Sequence, residues 1–370
     1  MTLVSALRTR LDAVMPRGFL PRLYILAVFI LAAVFVVAES YILYLTKEGH
    51  VAALNSIWQV PGIQRAVTTS ITTYMVYNVL FILAQVYIIF LCMEALAHKD
   101  IIQIVVVVVF YFICLVFATT RYISFYVYPS VAARMFTRDS NMQLMQITVV
   151  IAYVLSLASL SVLSLKLAHE IGWDVFKRLG ADIGLHRAYM WHQCLMMLLK
   201  MDIYFIGSYL VQMTALVLKV DDPETWLQIT VVIPVCVIII VGGFVALHDE
   251  RRGLMTCVSL CMFLSVGYFI YKIYRVCEPG TINMPDDPYA DSRPFFMITI
   301  VVCMLLVITT GVASAMCILS FDSGLKEAIA YDKMRTRHMK MYAVDKDIRQ
   351  EQEPLMPRSS SLTRDRFALD

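Results

Sequence analysis

Charge is what this sequence has least of. Only 16% of its 370 residues are Asp, Glu, Lys or Arg, whereas 60% are hydrophobic. Soluble domains carry about 25% charged residues. A surface that faces water is therefore excluded for most of the chain, and membrane lipid is the partner its composition demands. The net charge of +3 is nearly neutral, so nothing marks a nucleic-acid partner, which would need a concentrated basic face.

Enzyme signatures are missing as well. The sequence has no GxSxG elbow, no HExxH and no GxxxxGK[ST] loop, the arrangements that would supply a nucleophile, a metal-bound water or a phosphate cradle. No catalytic residue is assigned, and the chain is expected not to be an enzyme. There is no N-x-[ST] sequon, so N-glycosylation is not expected. None of the nine cysteines has metal-ligand spacing. Cys257 and Cys261 are one helical turn apart in an apolar run, and Cys92, Cys114, Cys236, Cys303 and Cys317 lie in or beside such runs. They read as small apolar side chains. Only Cys277 falls outside the expected cytosolic and membrane regions, which leaves no disulfide framework. His98, His169, His186, His192, His248 and His338 fall at cytosolic edges, and the six-residue spacing of His186 and His192 fits one helical face poorly. No metal and no cofactor are expected.

What is present is a series of long apolar runs. A helix needs about 20 mostly apolar residues to cross the hydrocarbon core. Eight segments qualify: Leu23–Leu45, Ile71–Met93, Ile101–Thr120, Leu144–Leu167, Met201–Val220, Trp226–Leu247, Leu254–Tyr274 and Phe295–Leu319. They are too long and continuous for barrel strands of about 9–11 alternating residues. The expected fold is an all-α, polytopic transmembrane helix bundle. The first run exceeds the roughly 7–15 residues of a signal h-region and lacks a small-residue cleavage site, so it reads as a retained span.

Lys and Arg favour cytosolic loops. Arg8, Arg10, Arg17 and Arg22 precede the first span; Lys177, Arg178 and Arg187 follow the fourth; Arg251 and Arg252 follow the sixth; ten Lys and Arg lie between Lys326 and Arg366. Acidic residues dominate two opposite loops: Asp221, Asp222 and Glu224, then Glu278, Asp286, Asp287 and Asp291. Both termini are thus expected in the cytosol. The exception is the loop after span three, with Arg121, Arg134 and Arg138. Tyr122, Phe125, Tyr126 and Tyr128 crowd the exit of that span and read as interfacial anchors.

The expected organisation is a cytosolic segment at 1–22, the bundle at 23–320 with a cytosolic connector at 168–193, and a disordered cytosolic tail at 321–370. The connector mixes Ile171, Trp173, Val175, Phe176 and Leu179 with charged residues. It suits either a helix lying in the membrane surface or an amphipathic link packed on the bundle. The tail is too polar to build a core.

Polar groups inside spans are costly and are functional candidates by default. Asn78 and Gln85, seven residues apart, share a face of span two. Lys200 and Asp202 open span five, followed by Tyr204 and Gln212. Glu39 lies late in span one, and Pro234 sits inside span six. Two readings stand: a binding site or proton relay near the bundle axis, or helix-to-helix bonds worth about 0.6 kcal/mol each, with Lys200 reaching toward headgroups and Pro234 kinking its helix. Gly311 and Ala315 form a small-xxx-small pair suited to close helix contact.

The tail carries short signals. Glu351 stands four residues before Leu355 and Met356, the pattern of an acidic dileucine sorting signal. Tyr331-Asp332-Lys333-Met334 has the form of a tyrosine-based signal, and Arg358 precedes Ser361 at a spacing basophilic kinases accept. Cytosolic sorting adaptors are the expected partners of the tail.

The stretch LGADIGLHRAYMWHQCLMMLLKMDIYFIGSYLVQM, Leu179–Met213, is the most distinctive. It resembles a fungal family of uncharacterised multi-spanning Golgi apparatus membrane proteins. In that family a cytosolic connector leads into a span with a Lys-x-Asp-x-aromatic entry and a later Gln, matched here by Lys200, Asp202, Tyr204 and Gln212. The resemblance implies an endomembrane location, the Golgi first and the vacuole or endosome as alternatives, and carries over no catalytic residues. The reading reached from the sequence is a non-enzymatic Golgi or post-Golgi protein in trafficking, sorting or sensing. Alternatives are a secondary transporter or channel for a small solute or ion, and a seven-helix-type receptor with one extra span.

Overall fold

The computed structural model describes residues 18–56, 61–98, 100–127, 140–179, 183–217, 226, 228–278 and 292–320. All fall in one compact unit, Met1–Phe321. Most of the N-terminal segment and the whole tail lie outside the described residues, and with the tail go Tyr331, Glu351, Leu355, Met356 and Ser361.

Long apolar runs without charges have one outlet in lipid. Every backbone N–H and C=O must be satisfied within the segment, so each run becomes a helix. The helices are α1 (Phe19–Ser56), α2 (Pro61–His98), α3 (Ile101–Tyr122), α4 (Ser140–Leu179), α5 (Ile183–Gln212), α6 (Ile233–Asp249), α7 (Arg252–Cys277) and α8 (Arg293–Ser320). Five-residue π-helical turns extend α3 (Ile123–Val127) and α5 (Met213–Val217), and another (Gln228–Val232) leads into α6. Among the described residues there is no strand. Among the described residues, eight helices are long and apolar enough to cross a membrane.

Within each group of four, consecutive helices lie side by side. α1, α2, α3 and α4 each pack on the next, and α4 returns to α1. α5, α6, α7 and α8 repeat the pattern, with α8 returning to α5. The result is two four-helix rings. They meet where α2 and α3 face α5 and where α3 faces α8. The most apolar windows of α2 and α5 are half buried, whereas that of α6 is only 17% buried. α2 and α5 are therefore the inner helices, and α6 lies at the rim. Outward positions are apolar, as lipid requires: Leu26, Ile30 and Val37 on α1, Ile238 and Val241 on α6, Leu260 and Leu264 on α7 are exposed.

Several sequence expectations change. Arg121 is not a loop residue. It belongs to the last turn of α3 and is fully buried. Phe125, read as an interfacial anchor, is 2% exposed and meets the Tyr74 ring edge-on at 4.7 Å. Lys200 and Asp202 do not open span five. The apolar stretch runs Arg187–Leu216, which puts both in its middle. Within 168–193, α4 continues to Leu179 and α5 begins at Ile183, so most of the expected connector is the continuation of two spanning helices. Pro234 stands in the first turn of α6, directly after the π-helical turn Gln228–Val232 that leads into it.

The link between α6 and α7 is two residues long. Glu250 takes a left-handed conformation (φ 52°) and its N–H donates to the Ala246 carbonyl, which also accepts from the Arg251 N–H at 3.2 Å. That closes the C-terminus of α6 in the manner of an αL cap.

Candidate functional site

The polar residues inside the spans fall into clusters, and each cluster belongs to a ring or to the seam between rings. In the first ring, Arg121 of α3 donates to both carboxylate oxygens of Glu39 on α1, at 2.7 and 2.8 Å, and to the Asn78 Oδ1 of α2 at 2.8 Å. All three residues are fully buried. The Phe81 ring lies 4.3 Å from the guanidinium carbon, a cation–π contact that adds to the compensation. Nearby, the Gln146 amide donates to the Tyr74 hydroxyl. One level further along α2, the Gln85 amide donates to the Tyr153 hydroxyl of α4 at 3.0 Å, and Tyr153 stacks on Phe35 at 4.0 Å. This ring is closed by its own contacts.

In the second ring, α5 packs on α8 and α6. Thr310 of α8 donates to Asp202 Oδ2 at 2.7 Å. Cys303 of α8 donates to the Phe205 carbonyl at 3.4 Å. Gly243 of α6 lets the backbone approach Leu199: a Cβ there would stand 2.8 Å from a Leu199 methyl. Ser259 of α7 donates to the Gly311 carbonyl of α8 at 3.3 Å, and a Cβ on Gly311 would press on the Phe263 ring at 3.2 Å. The small residue at 311 thus makes the close contact its spacing suggests.

The seam differs in kind. Here α2 and α5 touch through long side chains. Tyr204 of α5 donates to the Leu80 carbonyl at 3.0 Å, and Tyr87 of α2 donates to the Lys200 carbonyl at 2.5 Å. The Tyr77 hydroxyl donates to Gln212 Oε1 at 3.4 Å, and Thr299 of α8 donates to the same oxygen at 3.0 Å. Toward the other end, Lys200 Nζ pairs with Glu94 Oε1 at 2.6 Å, and Gln103 of α3 donates to Glu94 Oε2 at 3.2 Å. Gln193 donates to Asp100 at 2.9 Å. Tyrosine spacers keep the two backbones apart, and space remains between them.

That space is a narrow, partly open cavity of about 40 Å³. Its walls are apolar: Leu80, Phe81 and Ala84 of α2, Phe110, Ile113, Cys114 and Phe117 of α3, Phe205 of α5. Polar groups gather at one end, where Tyr77, Gln212 and Thr299 meet, with Tyr204 and Ser208 along the α5 wall. From Tyr77 to Ala84 it follows two helical turns, about 10 Å at 1.5 Å per residue. Among the described residues, no group of three His, Cys, Asp or Glu is placed to hold a metal ion.

Of the residues singled out from the sequence, Tyr204 and Gln212 line this cavity. Asn78 and Gln85 are engaged inside the first ring. Lys200 is paired across the seam, and Asp202 accepts a hydrogen bond from Thr310 of α8. Glu39 and Arg121 form the most buried charge pair, and sequence reading kept them apart in a span and a loop. The available signal was arithmetic: one acid late in span one and one base late in span three, at similar depth because the two spans run in the same direction.

No family model matches the chain, and no solved structure matches it. It is similar to a curated relative, the UPF0658 Golgi apparatus membrane protein C23H3.04 of Schizosaccharomyces pombe, at 25% identity over 277 residues, 67% of this chain and 76% of the relative. The likeness to a fungal family of Golgi membrane proteins, carried in the sequence by Leu179–Met213, is borne out, as is the multi-pass Golgi placement that went with it.

Proposed function

We propose that this multi-pass membrane protein of the Golgi apparatus is a non-enzymatic lipid sensor or sorting factor, whose seam cavity holds a single-chain amphiphile. One observation carries the reading: an apolar cavity two turns long, with hydrogen-bonding groups gathered at one end. Apolar walls with a few polar groups at one place are the general form of a ligand site between helices. The surrounding solvent is lipid, so an acyl chain is the apolar molecule at hand. Its polar end would meet Gln212, Tyr77 and Thr299, and its chain would lie along Phe81, Ala84, Phe110 and Phe117. Because the cavity lies between two rings, filling it would alter how they rest on each other.

The contacts favour this reading over a solute carrier. Asn78, Gln85, Lys200 and Asp202 are engaged in separate helix contacts, and of the intramembrane polar candidates Tyr204 and Gln212 line the cavity. The cytosolic tail would relay the state of the seam to sorting adaptors through Glu351, Leu355 and Met356.

A photoactivatable, alkyne-tagged palmitate tests the cavity. Ultraviolet crosslinking in purified membranes should label peptides of α2, α3 and α5 around Ala84, Phe110 and Phe205. Labelling should fall at least tenfold in Ala84→Phe. Equal labelling of the variant, or crosslinks confined to rim helix α6, would overturn the assignment. Replacing Leu355 and Met356 with Ala should redistribute a tagged copy among organelles, and an unchanged distribution would remove the sorting role.

A further inference from the structure

The second ring contains a carboxyl group with no cation. Asp202 is fully buried in the middle of α5. Its Oδ2 accepts one hydrogen bond, from the Thr310 hydroxyl, and its Oδ1 has no hydrogen-bond partner. The contrast with the other acids in the bundle is sharp. Glu39, fully buried, has Arg121, and the half-buried Glu94 has Lys200. Asp100, at the edge of α3, accepts from Gln193. Lys200 lies two residues from Asp202 in sequence, on the far side of the helix, and its ammonium is already committed to Glu94 at 2.6 Å.

The surroundings supply no other compensation. α8 presents Thr310 and the Cys303 thiol, and α2 presents the Tyr87 hydroxyl; Cys303 and Tyr87 are close enough to feel the Asp202 charge electrostatically. α6, packed on the same stretch of α5, presents Gly243 against Leu199, with Cys236 beside Cys303. All of these groups are neutral. An ionised carboxylate left alone in hydrocarbon is strongly unfavourable, and such a group neutralises instead.

We propose that Asp202 and Thr310 form a reversible proton-binding site on the α5–α8 contact, with the proton held on Asp202. Proton uptake converts the carboxylate and one H⁺ to a neutral carboxylic acid, with no other bond made or broken. The neutral acid keeps α5 and α8 in their dry contact, and its open Oδ1 is where the proton enters and leaves. Release of the proton leaves a charge that only water or a cation can stabilise, so the contact must hydrate. The site therefore links proton occupancy to the α5–α8 wall, which also carries Tyr204, Ser208 and Thr299. It stands whether or not the seam cavity holds an amphiphile.

Infrared difference spectroscopy of the full chain in lipid nanodiscs, titrated from acid to alkaline pH, tests this directly. The wild type should show the carbonyl stretch of a buried protonated carboxyl, sensitive to deuterium exchange and lost as the pH rises. Asp202→Asn, nearly isosteric and still able to accept from Thr310, should lack it. Thr310→Val should retain the band but move it to higher frequency, because the carbonyl loses its donor. A band unchanged in Asp202→Asn would place the proton elsewhere. Absence of any protonated-carboxyl band in the wild type, or the same frequency in Thr310→Val, would overturn the site. Thr310→Val keeps the test decisive if Asp202→Asn fails to fold.

Discussion

The interior of the first ring and the seam between the rings are made from similar residues, and they behave differently. In the ring, polar side chains meet other side chains: Arg121 is held by Glu39 and Asn78, Gln85 by Tyr153. At the seam, tyrosines reach across to backbone carbonyls and hold the helices apart. One arrangement closes space, and the other keeps it. Side-chain length and the choice of partner decide which, more than polarity does.

If that contrast is sound, damage to a ring should cost stability, and damage to the seam should cost binding. The largest effect is expected from Arg121→Leu. It strands Glu39 in the core, and breaking a buried pair from one side costs about 3–5 kcal/mol. Loss of folded protein in detergent thermal-shift assays checks it. The double variant Glu39→Gln with Arg121→Leu should recover most of that loss, because no lone charge remains. Next comes Gly311→Leu, which forces a side chain onto Phe263 at the α7–α8 contact. Overpacking of this kind costs about 1–3 kcal/mol and should lower the melting temperature without touching the cavity. Smallest is Gln85→Leu, about 0.6 kcal/mol for one interhelical hydrogen bond, which a double-mutant cycle with Tyr153→Phe should resolve as coupling between the two sites.

How much of this was readable from sequence depends on the range of the cause. Eight spans were legible because each run alone must satisfy its backbone in lipid. The approach at Gly311 was legible because small residues leave few other uses for that spacing. Arg121 was misplaced for a physical reason: a guanidinium at the end of an apolar run looks like a loop residue until its acid, 82 positions away, is known. Charge counting then treated it as an exception on the wrong side of the membrane, whereas it is neutralised inside. The middle position of Asp202 was obscured by Lys200 beside it, since the pair looks like a span entrance when neither partner is visible. The cavity had no sequence signal, because it depends on the distance between two helix backbones rather than on any one residue type.

The most direct test of the seam is native mass spectrometry of the full chain released from nanodiscs, run beside a melting curve of the same samples. The wild type should carry a bound single-chain amphiphile. Ala84→Phe should release it while the protein still folds, at an overpacking cost of about 1–3 kcal/mol. An equal load of amphiphile on both proteins, or none on the wild type, would contradict the account.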